Sequence, residues 1–306
     1  MAKIGLFGLL MWLPLLIMSA AWAQVTERAV AVYSEGVRLH GSVFSPPAVE
    51  GKHHPAIVMS HGWGGTAALL RPQAEEFARA GFFVLAIDYR GWGDSDARWV
   101  RGEPSGVDNN ERRPLREVVD PIDQATDLMN AVHWVMGEPG VDPARVGLWG
   151  TSFSGGLAVY VAAREPRIKA VVSQVAWFGQ PIAGMPAAAL ALSRADATRR
   201  ARGEIGYPGP SERVIGNLRG APISEGFLRY APIDDVPHMK HSALLIIDAE
   251  REELFNIRDH GQLAHERAAQ PKKYVLIPGI AHYGIYGDAR PQATDLAIQW
   301  FTQHLK

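Results

Sequence analysis

Residues 146–156 read Val-Gly-Leu-Trp-Gly-Thr-Ser-Phe-Ser-Gly-Gly, an apolar run that ends in a cluster of small residues around Ser152. The residues before the cluster have the composition of a buried strand, and residues 157–163 follow a helical pattern. A serine on a tight turn between a strand and a helix projects its hydroxyl into open space, as a nucleophile must. The stretch therefore makes Ser152 a candidate nucleophile.

Two other interpretations of this turn are available. Ser152 could simply cap the helix that follows it. Ser154 could be the nucleophile, although it would then lie a helical turn beyond the end of the strand. The small residues Gly150 and Ser154, two positions before and after Ser152, are what a close approach of strand and helix requires, and this geometry favours Ser152.

A serine is inert at neutral pH without a general base, and the chain has 11 histidines. Most of these histidines lie in polar turns or within predicted helices. His282 differs, because it lies in a glycine-flanked loop, residues 278–284, directly after the predicted strand 273–277. A histidine in such a loop can reach across the edge of a sheet to a distant serine. We expect His282 to be the base.

The base needs a carboxylate partner that fixes its tautomer, and the segment after the predicted strand 243–247 provides several. Asp248 would lie at the end of that strand. Glu250 and Glu253 could be solvated loop charges, and Glu252 lies between them. These residues alone do not decide which carboxylate is the partner.

The chain order of serine, acid and histidine, together with these strand and loop motifs, resembles the α/β-hydrolase superfamily. The sequence around Ser152 and His282 is most similar to that of dienelactone-hydrolase-like and Xaa-Pro-peptidase-like hydrolases. The resemblance implies an α/β fold with a mostly parallel eight-stranded sheet flanked by helices. It places a hydrolase domain over residues 24–306, with a helical cap insertion over residues 177–237.

The same resemblance implies roles for three further positions. Hydrolases with a strand such as 243–247 commonly continue Gly-x-x-Asp-x-Leu, and placing Leu254 on that leucine puts Glu252 in the acid position, ahead of Glu253 and then Asp248. The segment His61-Gly62-Trp63 looks like the superfamily's oxyanion loop. The implied oxyanion hole consists of the backbone N–H groups of Trp63 and Phe153.

Two stretches interrupt the alternation of strands and helices, and both should lie above the catalytic edge of the sheet. Residues 98–120 are rich in glycine, proline and charge, which is typical of a mobile rim loop or of an ordinary solvated insertion. The cap insertion carries more arginines than acidic residues. That surplus could favour an acidic substrate, but a solvated helix face is the simpler interpretation.

The N-terminus indicates export. Lys3 precedes an apolar run over residues 4–18, and Ala21 and Ala23 are small residues at the positions that a signal peptidase reads. We expect a signal peptide over residues 1–23 and a periplasmic or secreted product without stable membrane insertion. The alternative is an uncleaved anchor, although the run is shorter than the ~20 apolar residues that span a bilayer. The chain contains no cysteine, which excludes a lipid anchor on cysteine and any disulfide.

Composition excludes some classes of function. A formal net charge of −1 provides no field that would attract nucleic acid. The histidines are not spaced as ligand pairs, so we expect neither a metal nor a cofactor; the expected partner is a small-molecule ester, and the oligomeric state is left open. The sequence favours an exported serine esterase that works through an acyl-enzyme. A Xaa-Pro-type peptidase or amidase and a non-catalytic binding protein of the same fold are the alternatives.

Overall fold

The computed structural model describes residues 24–47, 51, 53–101, 112–211 and 218–306, so the expected signal peptide lies outside the described residues. The strands are β1 (Thr26–Ser34), β2 (Val37–Ser45), β3 (His54–Ser60), β4 (Phe83–Ile87), β5 (Trp99–Arg101), β6 (Arg112–Pro114), β7 (Val118–Val119), β8 (Val141–Thr151), β9 (Ile168–Gln174), β10 (Ala221–Pro222), β11 (Ala243–Arg251) and β12 (Lys272–Ala281). The α-helices are α1 (Arg71–Arg79), α2 (Pro121–Met136), α3 (Phe153–Ala162), α4 (Ala187–Ala201), α5 (Ser224–Phe227), α6 (Pro232–Asp235), α7 (Gly261–Arg267) and α8 (Arg290–Leu305).

An eight-stranded sheet in the order β1-β2-β4-β3-β8-β9-β11-β12 forms the centre of the molecule. Strand β2 is antiparallel to both of its neighbours, and the six strands from β4 to β12 in this order are parallel. The expected mostly parallel eight-stranded sheet is therefore confirmed. Parallel strands need crossover connections, and helices α1, α2, α3 and α8 lie in these connections or follow the last strand.

Two separate apolar cores cover the two faces of this sheet. Side chains that alternate along β3 and β4 enter different cores, because successive residues of a strand point to opposite faces. Val58 and Leu85 pack in the core that contains α2 and α3. Ile57 and Val84 pack in the core that contains α1 and α8. The interior strands are thus buried on both faces, which explains their continuous apolar sequences.

The turn between β8 and α3 is packed so closely that glycine is required at several positions. A Cβ atom added to Gly150 would lie 2.2 Å from the backbone oxygen of Ser154. Added to Gly155 or Gly156, it would lie 2.4 Å from Ala176 Cβ or 2.3 Å from the Trp177 oxygen. Strand β8, helix α3 and the segment after β9 therefore approach one another closely around Ser152.

Ser154 is accommodated because its hydroxyl enters a buried polar network. Its Oγ shares hydrogen bonds with the hydroxyls of Ser60 and of Tyr89, the latter at 3.0 Å. A serine at this position therefore replaces glycine without an unsatisfied polar group.

The two irregular stretches pack against each other. Strand β7 in the rim stretch 98–120 pairs in parallel with β10 in the cap segment 177–237. Leu115, Val118 and Ile223 form a small buried cluster beside that pair. The described part of the rim stretch is therefore joined to the cap segment by backbone pairing and apolar contact, and is not simply solvated.

Within the cap segment, the sequence predicts a helix over residues 186–202, and the structure has α4 over Ala187–Ala201. None of its residues is buried. Polar contacts connect α4 to α5, namely an ion pair of Arg200 with Glu225 at 2.5 Å and a hydrogen bond from Ser224 to Asp196 at 3.4 Å. The sequence also predicts a helix near residues 211–218, and this segment lies almost wholly outside the described residues. None of the helices in the described ranges combines the length and apolarity that crossing a bilayer would need.

Strands β11 and β12 are longer than the apolar runs 243–247 and 273–277 that predict them. Their parallel pairing continues past Ala249 through an irregularity to the pair Arg251 and Ala281. Polar residues extend these strands because backbone hydrogen bonds hold them together, and an apolar pattern does not show that. The extension places the acid-bearing loop beside His282.

Candidate active site

Ser152 has a backbone conformation that residues other than glycine rarely adopt. Its φ is 56° and its ψ is −126°. Its amide N–H donates to the carbonyl oxygen of Gln174 at 2.8 Å, and its own carbonyl accepts from Gly155 N–H at 3.0 Å. The side chain makes no capping hydrogen bond to α3, so the helix-cap interpretation does not describe this serine.

The structure brings Ser152, His282 and Glu252 into one hydrogen-bonded chain. His282 Nε2 lies 3.0 Å from Ser152 Oγ. On the other side of the ring, His282 Nδ1 lies 2.7 Å from Glu252 Oε2. The side chains of His282 and Glu252 are each only 2% exposed, which strengthens the interaction between them. With Nδ1 donating to the carboxylate, Nε2 is free to accept the serine proton.

The neighbouring glutamates hold the loops that carry this chain. Leu254 N–H donates to Glu252 Oε1 at 2.9 Å, which fixes the acid itself. The backbone N–H of His282 donates to Glu253 Oε2 at 2.8 Å, and Gly279 N–H donates to Glu250 Oε2 at 2.7 Å. Glu250 and Glu253 are both exposed, as the sequence allows, and each also accepts a backbone N–H at the end of β12 or directly after it.

Asp248, the third candidate acid, contacts neither histidine nor serine. It is completely buried, and its polar neighbour among the described residues is the hydroxyl of Tyr274. It lies so close to Gly261 that a Cβ atom there would be 1.9 Å from Asp248 Oδ2. Burial, reinforced by the nearby charge of Glu252, raises the pKa of Asp248 to about 7.

The expected oxyanion loop passes directly beside the nucleophile. A Cβ atom on Gly62 would lie 2.9 Å from Ser152 Cβ and 3.4 Å from its Oγ. The Trp63 ring then packs edge-on against the Phe153 ring, with centroids 5.4 Å apart. The two residues whose amides are expected to bind an oxyanion thus lie on either side of Ser152.

His61 supports that loop. Its Nδ1 lies 2.9 Å from the carbonyl oxygen of Gly62, and burial lowers its pKa. A neutral ring at this position donates to the loop backbone.

A tyrosine that the sequence did not single out also reaches this turn. Tyr286 Oη lies 2.8 Å from Thr151 Oγ1, next to the nucleophile. Burial raises the pKa of Tyr286 to about 12, so its hydroxyl stays protonated at neutral pH. Tyr286 follows His282 by one short turn, and only the folded chain shows that it returns to Thr151.

A cavity of about 370 Å³ opens beside Ser152. Its walls are mostly aromatic and apolar, and they come from the sheet edge, the cap segment and the acid loop. The lining residues are Trp63, Ser152, Phe153, Trp177, Ser193, Leu218, Pro222, Ser224, Phe227, Leu254 and Phe255. No ionisable side chain belongs to this lining within the described ranges.

Among the described residues, His40, Asp88 and Asp94 bring potential metal-ligand atoms within 4.8 Å of one another. The Asp88 carboxylate is already used, because it accepts the backbone N–H of Ala67 at 2.6 Å and of Asp94 at 3.2 Å. This group therefore has an architectural explanation in the turn after β4.

Comparison with known proteins finds one matching family model and several relatives that are similar in sequence. The family model for X-Pro dipeptidyl-peptidase (S15 family) matches residues 35–181. An uncharacterised 31.7 kDa protein of Escherichia coli is 27% identical over 89% of this chain and 97% of its own length. The thiohydrolase aneE of Aspergillus aculeatus is 33% identical, over 45% of this chain and 38% of its own length.

Solved structures share the fold over nearly the whole chain. The α/β hydrolase GrgF from a Penicillium species superposes with a TM-score of 0.71 at 21% identity, covering 92% of this chain and 99% of its own. A dienelactone hydrolase and an acetyl xylan esterase also share the fold, at TM-scores of 0.58 and 0.59. This chain therefore has the α/β-hydrolase fold.

Proposed function

We propose that this protein hydrolyses carboxylic esters through Ser152, His282 and Glu252 with an acyl-enzyme intermediate. The observation that carries the proposal is the continuous contact from Glu252 through His282 to Ser152 Oγ. A buried carboxylate stabilises the imidazolium that forms when His282 takes the serine proton, and it holds the ring in the required tautomer.

In the first half of the reaction, Ser152 Oγ attacks the ester carbonyl carbon while its proton passes to His282 Nε2. The oxyanion that forms is held by the N–H groups of Trp63 and Phe153, and one such donor is worth about 10²- to 10³-fold in rate. His282 then gives the proton to the departing alcohol oxygen. In the second half, water loses a proton to His282 and attacks the acyl-enzyme, and Ser152 regains its proton as the acid leaves.

A dipeptidyl-peptidase activity is the second candidate, because the matching family model carries that description. A dipeptidyl peptidase must bind the charged amino terminus of its substrate, which calls for a carboxylate or several acceptors in the pocket. Within the described residues the cavity beside Ser152 is lined by no carboxylate, and this supports the ester over the peptide.

The non-catalytic alternative is the least supported of the three. A binding protein has no use for a serine in a strained conformation, whereas a nucleophile does. The strained φ of Ser152 and its contact with His282 therefore support an enzyme.

Substitution of the nucleophile tests the proposal. Ser152→Ala is expected to lower kcat for 4-nitrophenyl acetate by ~10⁴-fold or more, because nothing else supplies the attacking oxygen. Ser154→Ala is the matched control: it should keep most of the activity and lose about 1–2 kcal/mol of stability with its buried hydrogen bonds. Activity in Ser152→Ala together with an inactive, folded Ser154→Ala would transfer the role to Ser154.

The acid can be identified by comparing two adjacent substitutions. Glu252→Gln should lower kcat by ~10⁴-fold, as the equivalent change does in a serine protease. Glu253→Gln should cost far less, because an amide oxygen can still accept the backbone N–H of His282. Steady-state kinetics on both variants decide the matter, and a crippled Glu253→Gln beside an active Glu252→Gln would refute the assignment.

Asp248 is expected to affect stability and not catalysis. Its pKa of about 7 lies above the value near 3.9 of an unfolded chain, so the folded state binds more protons between these limits. Stability is therefore lost as the pH rises through this window. Asp248→Asn removes the free-energy cost of ionising this buried carboxyl group. The substitution should therefore raise Tm by several degrees at pH 8 but hardly at pH 4.5. An equal gain at both pH values would show that ionisation of Asp248 is not the cause.

We further propose that the protein is exported to the periplasm or secreted, on the basis of the apolar run 4–18 and the small residues Ala21 and Ala23. Mass spectrometry of the exported protein should find Gln24 as its first residue. An intact N-terminus in the membrane fraction would instead establish an uncleaved anchor.

A further inference from the structure

We propose that the cavity beside Ser152 is an acyl site that selects neutral, apolar acyl groups of medium length or with an aromatic ring. This inference rests on the proposed esterase function and names its substrate class. The volume of about 370 Å³ lies at the small end of the ~300–1,000 Å³ found for ligand pockets, so the site suits a compact group.

The walls consist of aromatic rings that already contact one another. Trp63 stacks on Phe227 with centroids 6.0 Å apart, and Phe153 stacks on Trp177 at the same distance. Phe227 also contacts Phe153 at 6.1 Å and Trp177 at 5.9 Å. Such a preformed set of rings offers a flat, apolar surface that needs little rearrangement when a substrate binds.

The residues around the ester carbonyl indicate which half of the ester occupies this cavity. Ser152, which would bond to the carbonyl carbon, lines the cavity together with Trp63 and Phe153, whose N–H groups are expected to hold the oxyanion. The carbonyl carbon and its oxygen belong to the acyl half of the ester, and that half stays on the enzyme after the alcohol leaves. The cavity is therefore assigned to the acyl chain.

The charge distribution argues against an acidic acyl group. The polar side chains in the described lining are Ser152, Ser193 and Ser224, which are neutral hydroxyls. Two arginines of the cap segment are engaged elsewhere: Arg200 pairs with Glu225, and Arg219 pairs with Glu117 at 3.2 Å. A carboxylate on the acyl chain would lose its hydration in this cavity and would meet no cation in the described lining.

The experiment uses three esters with the same leaving group and the purified mature protein. 4-Nitrophenyl acetate reports the catalytic machinery, 4-nitrophenyl hexanoate adds an apolar chain, and mono-4-nitrophenyl adipate carries a carboxylate at the end of that chain. Since each buried methylene is worth about three- to fourfold, kcat/KM for hexanoate should exceed that for acetate by at least tenfold. The kcat/KM for hexanoate should exceed the kcat/KM for adipate by a similar or larger factor.

Two variants locate the effect in the cavity. Phe227→Ala should lower kcat/KM for hexanoate at least fivefold more than for acetate. Leu192→Ala is the control, because Leu192 lies on the same cap segment but is 61% exposed and outside the described lining, and it should leave all three values unchanged.

The outcomes separate this inference from the function on which it rests. Acetate hydrolysis with equal use of hexanoate and adipate would overturn the acyl site and leave the esterase intact. An equal loss for acetate and hexanoate in Phe227→Ala would place the alcohol in the cavity, which also overturns the inference.

A folded protein that hydrolyses none of the esters would refute the esterase. The cavity is then tested by quenching of tryptophan fluorescence, since Trp63 and Trp177 line it. Hexanamide should quench more strongly than its charged counterpart adipamic acid, and equal quenching by the two would refute the selection for neutral groups.

Discussion

The left-handed backbone of Ser152 is the constraint on which the rest of the site depends. A residue with a side chain pays about 1–3 kcal/mol to adopt such a conformation, and it does so only where the surroundings enforce it. Here the amide of Ser152 is bonded to the carbonyl of Gln174 at the end of β9, and α3 presses against β8 through Gly150. Strand β8 and helix α3 therefore meet at Ser152. The conformation that this contact enforces directs the Ser152 hydroxyl out of the sheet.

A second part of the site illustrates how environment divides one residue type into several roles. Four carboxylates follow one another closely at the end of β11. Glu252 binds the imidazole, Glu253 and Glu250 accept backbone N–H groups at the end of β12 or directly after it, and Asp248 is buried beside Tyr274. Their chemistry is the same, so the difference comes from where the parallel pairing of β11 with β12 leaves each one.

This division explains what the sequence could and could not predict. The strand-to-helix turn at Ser152 follows from a local pattern and lies where the sequence predicts it, whereas the fold class comes from the resemblance to a known superfamily. The loop predicted over residues 278–284 differs, because β12 continues to Ala281 and a short 3₁₀ helix begins at His282. The choice among the carboxylates depended on one alignment through Leu254, because local charge alone does not distinguish them. The backbone contacts of Glu253, the burial of Asp248 and the pairing of β7 with β10 all join residues far apart in the chain, and no local pattern predicts such contacts.

Helix α4 has no buried residue, yet it contributes Ser193 to the cavity beside Ser152. A segment that shapes a binding cavity without supporting the core can change its sequence at little cost to folding, because exposed substitutions shift stability by only about 0.5 kcal/mol. The catalytic residues differ from α4 in this respect, because they are held by glycines and buried strands that tolerate almost no substitution. Selection for a new substrate can therefore act on the cap while the chemistry beneath it stays the same.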